Sequence, residues 1–258
     1  MNEPVLDVRG LHAGYARREV LLGIDLRVSR GEWVALLGAN GSGKSSLLDV
    51  CVGRLAASAG SVRIGIHSIA DAPVEAKRLL GYAIAPERLP PLLSARECLA
   101  VLAGARQLAE IDDDVLDLAD ALRLTPWLDD AVALMSYGTR QKLGVLLALL
   151  GEPALIVLDE TFNGLDPVSG LLLKRHLRVR VDAGRAGILL ATHALDIAEH
   201  WADRVALLHE GRIACTWNRE ELLRLRTARD GGLEAALAQR LAESTAGRAT
   251  QADARRTG

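Results

Sequence analysis

The stretch that decides the fold of this chain is a run of nine residues: Gly38, Ala39, Asn40, Gly41, Ser42, Gly43, Lys44, Ser45 and Ser46. It matches the pattern G-x-x-x-x-G-K-[ST], known as the P-loop. The apolar run at 33–37 predicts a buried strand before it, and the apolar residues at 47–52 predict an amphipathic helix after it. The motif therefore stands in the strand, loop and helix order that it requires.

The residue types in this loop suit the binding of phosphate groups. Its glycines let the backbone turn so that successive N–H groups point inward, toward an anion at the positive end of the following helix. Lys44 is expected to reach the β- and γ-phosphates of a nucleotide, and Ser45 to offer its hydroxyl to Mg²⁺. A glycine-rich turn without a ligand is the alternative, but the flanking strand and helix favour phosphate binding.

Composition limits the classes of protein that remain. The 258 residues allow one large α/β domain, or a main domain with a smaller inserted lobe, and 50% apolar residues supply a substantial core. Aromatic residues make up only 3%, and the formal net charge is −2. Few stacking platforms and no excess of positive charge argue against nucleic acid as a partner.

Hydrophobic runs are too short to predict a membrane span. The longest, at 145–150 and 154–158, are separated by Gly151, Glu152 and Pro153, and a spanning helix needs about 20 predominantly apolar residues. We therefore expect any membrane role to depend on a partner protein.

Ahead of the P-loop, two segments alternate apolar with polar residues. Residues 5–8 and 22–28 predict half-buried antiparallel strands, with Tyr15 in a loop between them. Taken alone, Tyr15 is better explained as an aromatic residue at a rim than as a platform for a base.

Residues 88–135 predict helices without strands, beginning at Ser94 as an N-cap with Glu97 three positions later. This helical stretch suggests a separate lobe.

Carboxylates follow the next buried strand. The continuous apolar run from 154 to 158 ends in Asp159 and Glu160, and ligands bind at the carboxyl ends of parallel strands. Asp159 and Glu160 therefore belong beside the phosphates, a solvated turn being the alternative. The residues at 187–192 predict another buried strand, followed by His193, which by itself is more readily explained as a packing histidine.

The remaining elements can also be predicted from local signals. A helix is expected from 143 to 150, and a second begins after Asp166 as N-cap with Pro167 at its first position. A hairpin is expected about Glu210 and Gly211. Beyond residue 218 the chain turns polar and arginine-rich, with one helix near 233–241 and a tail at 243–258 whose composition is typical of disorder.

In this order, the motifs resemble the nucleotide-binding subunit of ATP-binding-cassette (ABC) transporters. The resemblance covers about 3–217 and rests on the P-loop, the Ser136-Tyr-Gly138 signature, Walker B at 155–159, Glu160, Asp166 and His193. It implies an α/β fold: a P-loop NTPase core with a mixed sheet, an N-terminal antiparallel β subdomain and an inserted α-helical subdomain at about 88–150. Residues 218–258 would then form a C-terminal helical extension and tail.

The resemblance also implies a role for each matching residue. Tyr15 would stack on adenine, the residues from Gly38 to Ser46 would hold the phosphates of ATP, and Ser45 with Asp159 would hold Mg²⁺. Glu160 would be the general base and His193 the γ-phosphate sensor, roles that suit phosphoryl transfer. Ser136, Gly138 and Thr139 would act in trans, on the ATP held by a second ATP-binding subunit. Asp166 would belong to the D-loop.

A transmembrane permease is the other partner implied, docking near 87–102 and keeping this subunit at the cytoplasmic face of the membrane.

Several positions depart from the common family sequence. Glu87 replaces the usual coupling-loop glutamine, as in subunits of bacterial multidrug and polysaccharide exporters, and still offers a carboxylate to Mg²⁺ or water. Tyr137 replaces the first signature glycine, Thr139 replaces the signature glutamine, and Phe162 and Asn163 change the loop after Walker B.

We therefore expect an ATPase that drives transport, with export favoured by Glu87. One alternative is a soluble ABC-type ATPase acting in DNA repair or on ribosomes, although such proteins usually carry a coiled coil or tandem cassettes. Another is a P-loop GTPase or small-molecule kinase, which would leave Ser136 to Gly138 without a role.

Overall fold

The computed structural model describes residues 4–16, 18–227 and 231–242, which form two β-sheets and the helices that cover them. The strands are β1 (Pro4–Tyr15), β2 (Arg18–Ser29), β3 (Trp33–Leu37), β4 (Ala59–Ile64), β5 (His67–Ser68), β6 (Leu80–Tyr82), β7 (Leu155–Asp159), β8 (Gly187–Thr192), β9 (Arg204–His209) and β10 (Arg212–Trp217). The α-helices are α1 (Lys44–Cys51), α2 (Pro73–Arg78), α3 (Ala95–Ala105), α4 (Asp113–Ala121), α5 (Tyr137–Leu149), α6 (Pro167–Asp182), α7 (Leu195–Trp201), α8 (Arg219–Thr227) and α9 (232–242).

A six-stranded mixed sheet forms the centre, in the order β10-β9-β3-β8-β7-β6. Strands β6, β7, β8, β3 and β9 are parallel, and β10 pairs antiparallel to β9. Leu37 is in register with Thr192, and Asp159 with Ala191. The P-loop after β3, the carboxylates after β7 and His193 after β8 therefore meet at one edge of the sheet.

The second sheet is antiparallel, in the order β2-β1-β4-β5. Alternate residues of β3 separate two hydrophobic clusters: Val34 and Leu36 pack with this sheet and α1, whereas Ala35 and Leu37 pack with the helices. A strand that is buried on both faces reads as a continuous apolar run, as β3 does.

The segment between β6 and β7 is helical, as predicted for this part of the chain. Ser94 caps α3 through a capping box: its hydroxyl accepts from the Glu97 N–H at 3.2 Å, and the Glu97 carboxylate accepts from the Ser94 N–H at 2.8 Å. Arg106, just beyond α3, donates to the carbonyl oxygens of Leu80 and Leu150. The helices are thereby tied to β6 and to the end of α5.

The predicted fold class, a P-loop core with a mixed sheet, an antiparallel β subdomain and an inserted helical subdomain, is confirmed. Some local predictions were wrong. Tyr15 is the last residue of β1 and not part of a loop, and α5 begins at Tyr137, six residues earlier than expected, because Ser136 is its N-cap. Helix α7 was not predicted, and α8 lies within the expected C-terminal helical extension although no separate helix was predicted at 219–227.

Helix α9 lies where a helix was expected near the end of the chain, whereas the expected tail at 243–258 lies outside the described residues. Among the helices that the structure describes, none combines the length and the hydropathy needed to cross a bilayer.

Candidate nucleotide-binding site

The P-loop lines a cleft of about 650 Å³ at the carboxyl edge of the mixed sheet. Gly43, the N-cap of α1, has φ of +110°, which only glycine adopts without strain. This turn lets α1 start at Lys44 with the unpaired N–H groups of its first turn at the cleft. A helix N-terminus of this kind favours the binding of an anion such as a phosphate.

Lys44 is buried at the base of the cleft. Its ammonium donates to the carbonyl oxygen of Gly38 at 2.7 Å and lies 3.4 Å from that of Ala39. Glu160 Oε1 lies 3.9 Å from the same nitrogen. The positive charge is thus held at the P-loop by short backbone contacts, beside the carboxylate that follows β7.

Glu160 is fixed by three neighbouring contacts. Its N–H donates to the carbonyl oxygen of Ala191 at 2.9 Å, and its φ of +46° is unusual for a residue with a side chain. Nδ1 of His193 lies 3.0 Å from Oε2, and the side-chain amide of Asn163 donates to the same oxygen at 3.2 Å. A strained backbone of this kind costs about 1–3 kcal/mol and is common at functional sites.

Asp159 and Ser45 supply the oxygen atoms that Mg²⁺ prefers. Burial raises the pKa of Asp159, and a hydrogen bond from Ser45 acts in the opposite direction. Oδ1 of Asp159 is buried without a hydrogen-bond partner among the described residues. Such an orphaned acceptor beside a hydroxyl fits a site in which one carboxylate and substrate phosphates share Mg²⁺.

Residues that the sequence did not assign to nucleotide binding also line the cleft. Arg18 and Glu19 from β2 and the turn at Glu210 and Gly211 line it, together with the ring of Tyr15, which is 52% exposed. The Gly211 N–H donates to the carbonyl oxygen of Ser42 at 3.2 Å, so the turn is attached to the P-loop. The hairpin was predicted from Glu210-Gly211, but its position beside the P-loop depends on the pairing of β9 with β3.

The predicted signature lies away from this cleft. Ser136, Gly138 and Thr139 are not among the described residues that line it. Ser136 caps α5 by accepting from the Thr139 N–H at 3.2 Å, and the two hydroxyl oxygens are 2.8 Å apart. The signature serine is thus exposed at the N-terminal end of a 13-residue helix.

Asp166 and Glu87 also lie outside the described lining of the cleft. Asp166 caps α6, and its carboxylate accepts from the N–H and the hydroxyl of Ser169 at 2.9 Å and 2.6 Å. These hydrogen bonds lower the pKa of Asp166 well below its usual range. Glu87 is exposed on a short 3₁₀ helix, Pro86–Arg88, so the structure does not bring its carboxylate to the phosphate site.

Comparison with known proteins agrees with this arrangement. The family model described as "ABC transporter" matches residues 21–163. An uncharacterized ABC transporter ATP-binding protein of Bacillus subtilis (strain 168), YdbJ, is 34% identical over 214 residues, which cover 83% of this chain and 69% of YdbJ. The mouse ABC-type organic anion transporter ABCA8A is 35% identical over 194 residues, 74% of this chain but only 12% of that much longer protein.

A solved structure described as the ATP binding subunit of an ABC transporter superposes with a TM-score of 0.83. The two chains are 32% identical, and the match covers 92% of this chain and 99% of the other. The likeness thus extends over the P-loop core, the antiparallel sheet and the helical segment together. The chain therefore belongs to the ABC transporter family and is one of its ATP-binding cassette ATPases.

Proposed function

We propose that this protein hydrolyses ATP at two composite sites of a head-to-tail dimer and so drives a separate transmembrane permease. One observation carries the proposal: the P-loop, Asp159 and Glu160 line one cleft, while the exposed signature at the start of α5 is not among the described residues that line it. A second subunit in the opposite orientation would bring its signature to this cleft, and the dipole of its α5 would point toward the γ-phosphate.

Each predicted site residue would have its own task in this reaction. The P-loop N–H groups and the α1 N-terminus bind the phosphates, and Lys44 neutralises the charge that develops during phosphoryl transfer. Tyr15, exposed at the rim, offers a ring on which adenine can stack. Ser45 and Asp159 would hold Mg²⁺, which when bound neutralises charge on the phosphate oxygens.

Glu160 is the proposed general base. Its carboxylate is oriented toward the phosphate site by His193 and Asn163, and it accepts the proton of the attacking water. His193, which contacts Glu160 at 3.0 Å, would then also contact the γ-phosphate. Preorganisation of this kind lowers the barrier because no reorganisation is needed during the reaction.

A second cavity suits the permease. About 400 Å³ in volume, it opens between α2, α3 and β6 and is lined by Val74, Ile84, Leu102 and other apolar side chains. Arg54, Lys77, Arg78 and Arg106 also line it, and no carboxylate does so among the described residues. This composition fits a short permease segment that carries apolar residues and at least one acidic side chain.

We further propose that the subunit works at the cytoplasmic face of the membrane and supports export. The export assignment rests on Glu87, which replaces a glutamine as in bacterial exporters. ABCA8A is described as an organic anion transporter, and this cargo is that of ABCA8A and is not assigned to the present chain.

The proposed binding of a permease can be tested by affinity purification of the Glu160→Gln variant from detergent-solubilised membranes of the host, with ATP present. We expect one multi-span protein in stoichiometric amount, and Val74→Glu to abolish its recovery. Val101→Glu is the matched control, because Val101 is 64% exposed on α3 but is not among the described residues lining this second cavity. Recovery of only soluble partners, ribosomes or nucleic acid would contradict the transporter assignment.

A further inference from the structure

Two aromatic residues occupy positions at which this sequence departs from the common family pattern: Phe162 belongs to the loop at 160–166, and Tyr137 contacts that loop. Phe162 lies within that loop, and its ring stacks on Trp33 with centroids 6.5 Å apart and an interplanar angle of 21°. Tyr137, in the first turn of α5, lies against Gly164 in the same loop. The loop is therefore attached to the core through the Phe162–Trp33 contact and to the signature helix through the Tyr137–Gly164 contact.

The contact between Tyr137 and Gly164 is close enough to fix the loop. Gly164 has φ of +80°, and a Cβ built on it would lie 2.7 Å from Cε1 of Tyr137, nearer than nonbonded carbons approach. A Cβ built on Gly138 would lie 3.0 Å from the Gly164 carbonyl oxygen. The first turn of the signature helix thus rests directly on the backbone of this glycine.

The residue before Gly164 holds the proposed base. The Asn163 side chain donates to Glu160 Oε2 at 3.2 Å, and its N–H donates to the Glu160 carbonyl oxygen at 3.0 Å. At the far end of the loop, Asp166 caps α6 and lies 3.3 Å from Lys142 of α5. A displacement of Gly164 would therefore move Asn163 relative to the Glu160 carboxylate.

We propose that Tyr137 and Phe162 are positioning residues that clamp the loop at 160–166 and thereby hold the Asn163 amide on Glu160. The signature helix is then linked to the base of its own subunit, so binding of the partner's nucleotide at Ser136 is transmitted to Glu160 in the same chain. This inference rests on the proposed function, and it adds two residues that are not among the described residues lining the cleft of their own subunit.

Steady-state kinetics on the purified full chain tests the proposal. Tyr137→Ala should lower kcat about tenfold or more, since small misplacements of catalytic groups have effects of that size, while KM for ATP stays near the wild-type value. Tyr137→Phe should retain most of kcat, because the contact is made by ring carbons. A rise in KM with unchanged kcat would overturn the proposal and indicate direct contact with the partner's nucleotide.

A double-mutant cycle separates clamping from simple packing. Asn163→Ala and Tyr137→Ala should each lower kcat, and the double variant should be little worse than the more damaging single variant, because both act on the orientation of Glu160. Phe162→Ala combined with Asn163→Ala should behave in the same way. Fully multiplicative losses in kcat would overturn the proposal.

Hydrogen exchange provides a readout that does not require turnover. Peptides covering 160–166 should exchange faster in Tyr137→Ala than in the wild type or Tyr137→Phe, while the P-loop peptide at 38–46 stays unchanged as the internal control. Equal exchange at 160–166 would overturn the clamp. If the wild type hydrolyses no ATP, the proposed function fails, yet this measurement still decides whether Tyr137 holds the loop.

Discussion

Nδ1 of His193 lies 3.0 Å from Oε2 of Glu160, although the two residues are 33 positions apart in the sequence. The parallel pairing of Asp159 with Ala191 brings them together, because each follows the end of its strand. A carboxylate that acts as a base can only accept this hydrogen bond, so the proposed role of Glu160 requires the proton on Nδ1 of His193. The histidine therefore orients the proposed base from the neighbouring strand.

This contact predicts how substitutions of His193 will rank. His193→Ala should lower kcat by about tenfold to a hundredfold, since Glu160 loses one of its two orienting donors. His193→Asn should retain more activity, because its side-chain N–H can take the place of Nδ1. Both values come from steady-state ATP hydrolysis, and equal rates for the two variants would contradict an orienting role for Nδ1.

Asp159→Asn is expected to stabilise the nucleotide-free protein. Burial raises the pKa of Asp159, so the folded protein holds this proton more tightly than the unfolded chain does. The sign follows: the ionised carboxylate reduces stability as the pH rises from its ordinary pKa of about 3.9 through its raised folded-state pKa, and the loss is constant above that pKa. At pH 7, removing the charge should raise Tm, by about 2–4 °C for each kcal/mol regained in a chain of this size.

The same Asp159→Asn variant should lose the extra thermal stabilisation that Mg²⁺ adds to ATP. Tm is therefore measured with ATP alone and with ATP plus Mg²⁺, in the variant and in the wild type. An undiminished Mg²⁺ effect would exclude Asp159 as a ligand, and a lower Tm without nucleotide would contradict the desolvation argument.

Asp166→Ala should destabilise the fold in a pH-dependent manner. Loss of an N-cap costs about 1 kcal/mol. Hydrogen bonds from Ser169 lower the pKa of Asp166, so its contribution is fully present above the unfolded-state pKa of about 3.9 and is lost as the pH falls toward the lower folded-state pKa. Urea unfolding should show the largest gap from wild type near pH 7 and a shrinking gap below pH 4.

Asp166→Asn is the control for this pH dependence. Asparagine also caps helices well but carries no charge. We expect it to be more stable than Asp166→Ala at every pH and to lack the acid-dependent loss from this position. A gap between wild type and Asp166→Ala that is constant from pH 3 to 7 would contradict the assignment.

Sharing of sites between subunits can be tested with two inactive variants. Lys44→Ala removes the P-loop cation, while Ser136→Asp keeps an N-cap residue on α5 but places a negative charge at the signature. Co-expressed with different tags and purified by both, the mixed dimer contains one composite site with both parts intact. We expect each variant alone to be inactive and the mixed dimer to recover up to half of the wild-type rate.

A matched control pairs Lys44→Ala with the double variant Lys44→Ala/Ser136→Asp, which leaves no intact P-loop. It should remain inactive. A mixed dimer of the two single variants that shows no recovery would mean that each signature serves its own subunit or that the subunits do not assemble head to tail.

The parts of the fold with strong local signals were predictable from the sequence. Strand β8 has the bounds expected from its apolar run. Asp166 and Ser94 are the N-caps of α6 and α3, as predicted. The start of α5 was missed because its first turn, at 137–141, is polar and contains Gly138, so apolar periodicity begins only at Leu143. Strands β1 and β2 are longer than the segments predicted from alternation. Register shifts near Leu11 break the alternation of apolar residues, so the pattern does not reveal the full length of the strands.

The site was predictable as a set of residues but not as a geometry. The P-loop and the Asp159-Glu160 pair follow from residue type and position, since both end buried parallel strands. The bond from Asn163 to Glu160, the contact of Tyr137 with Gly164 and the cleft lining at Arg18 and Glu210 depend on distant segments that pack together. Glu87 lies outside the described lining of the cleft, so its coupling role and its carboxylate as an Mg²⁺ or water ligand stay predictions.

The most direct test of the central claim is the rate of ATP hydrolysis by Glu160→Gln beside the wild type, with ATP binding and Tm measured on both. The amide keeps the size of the side chain but cannot accept the proton of water, and loss of a general base typically costs about 10²–10⁴-fold. We expect Mg²⁺-dependent hydrolysis in the wild type, near-complete loss of kcat in the variant, and ATP binding and Tm retained. Equal hydrolysis by the two proteins would contradict the assignment of Glu160 and of this cleft as the catalytic site.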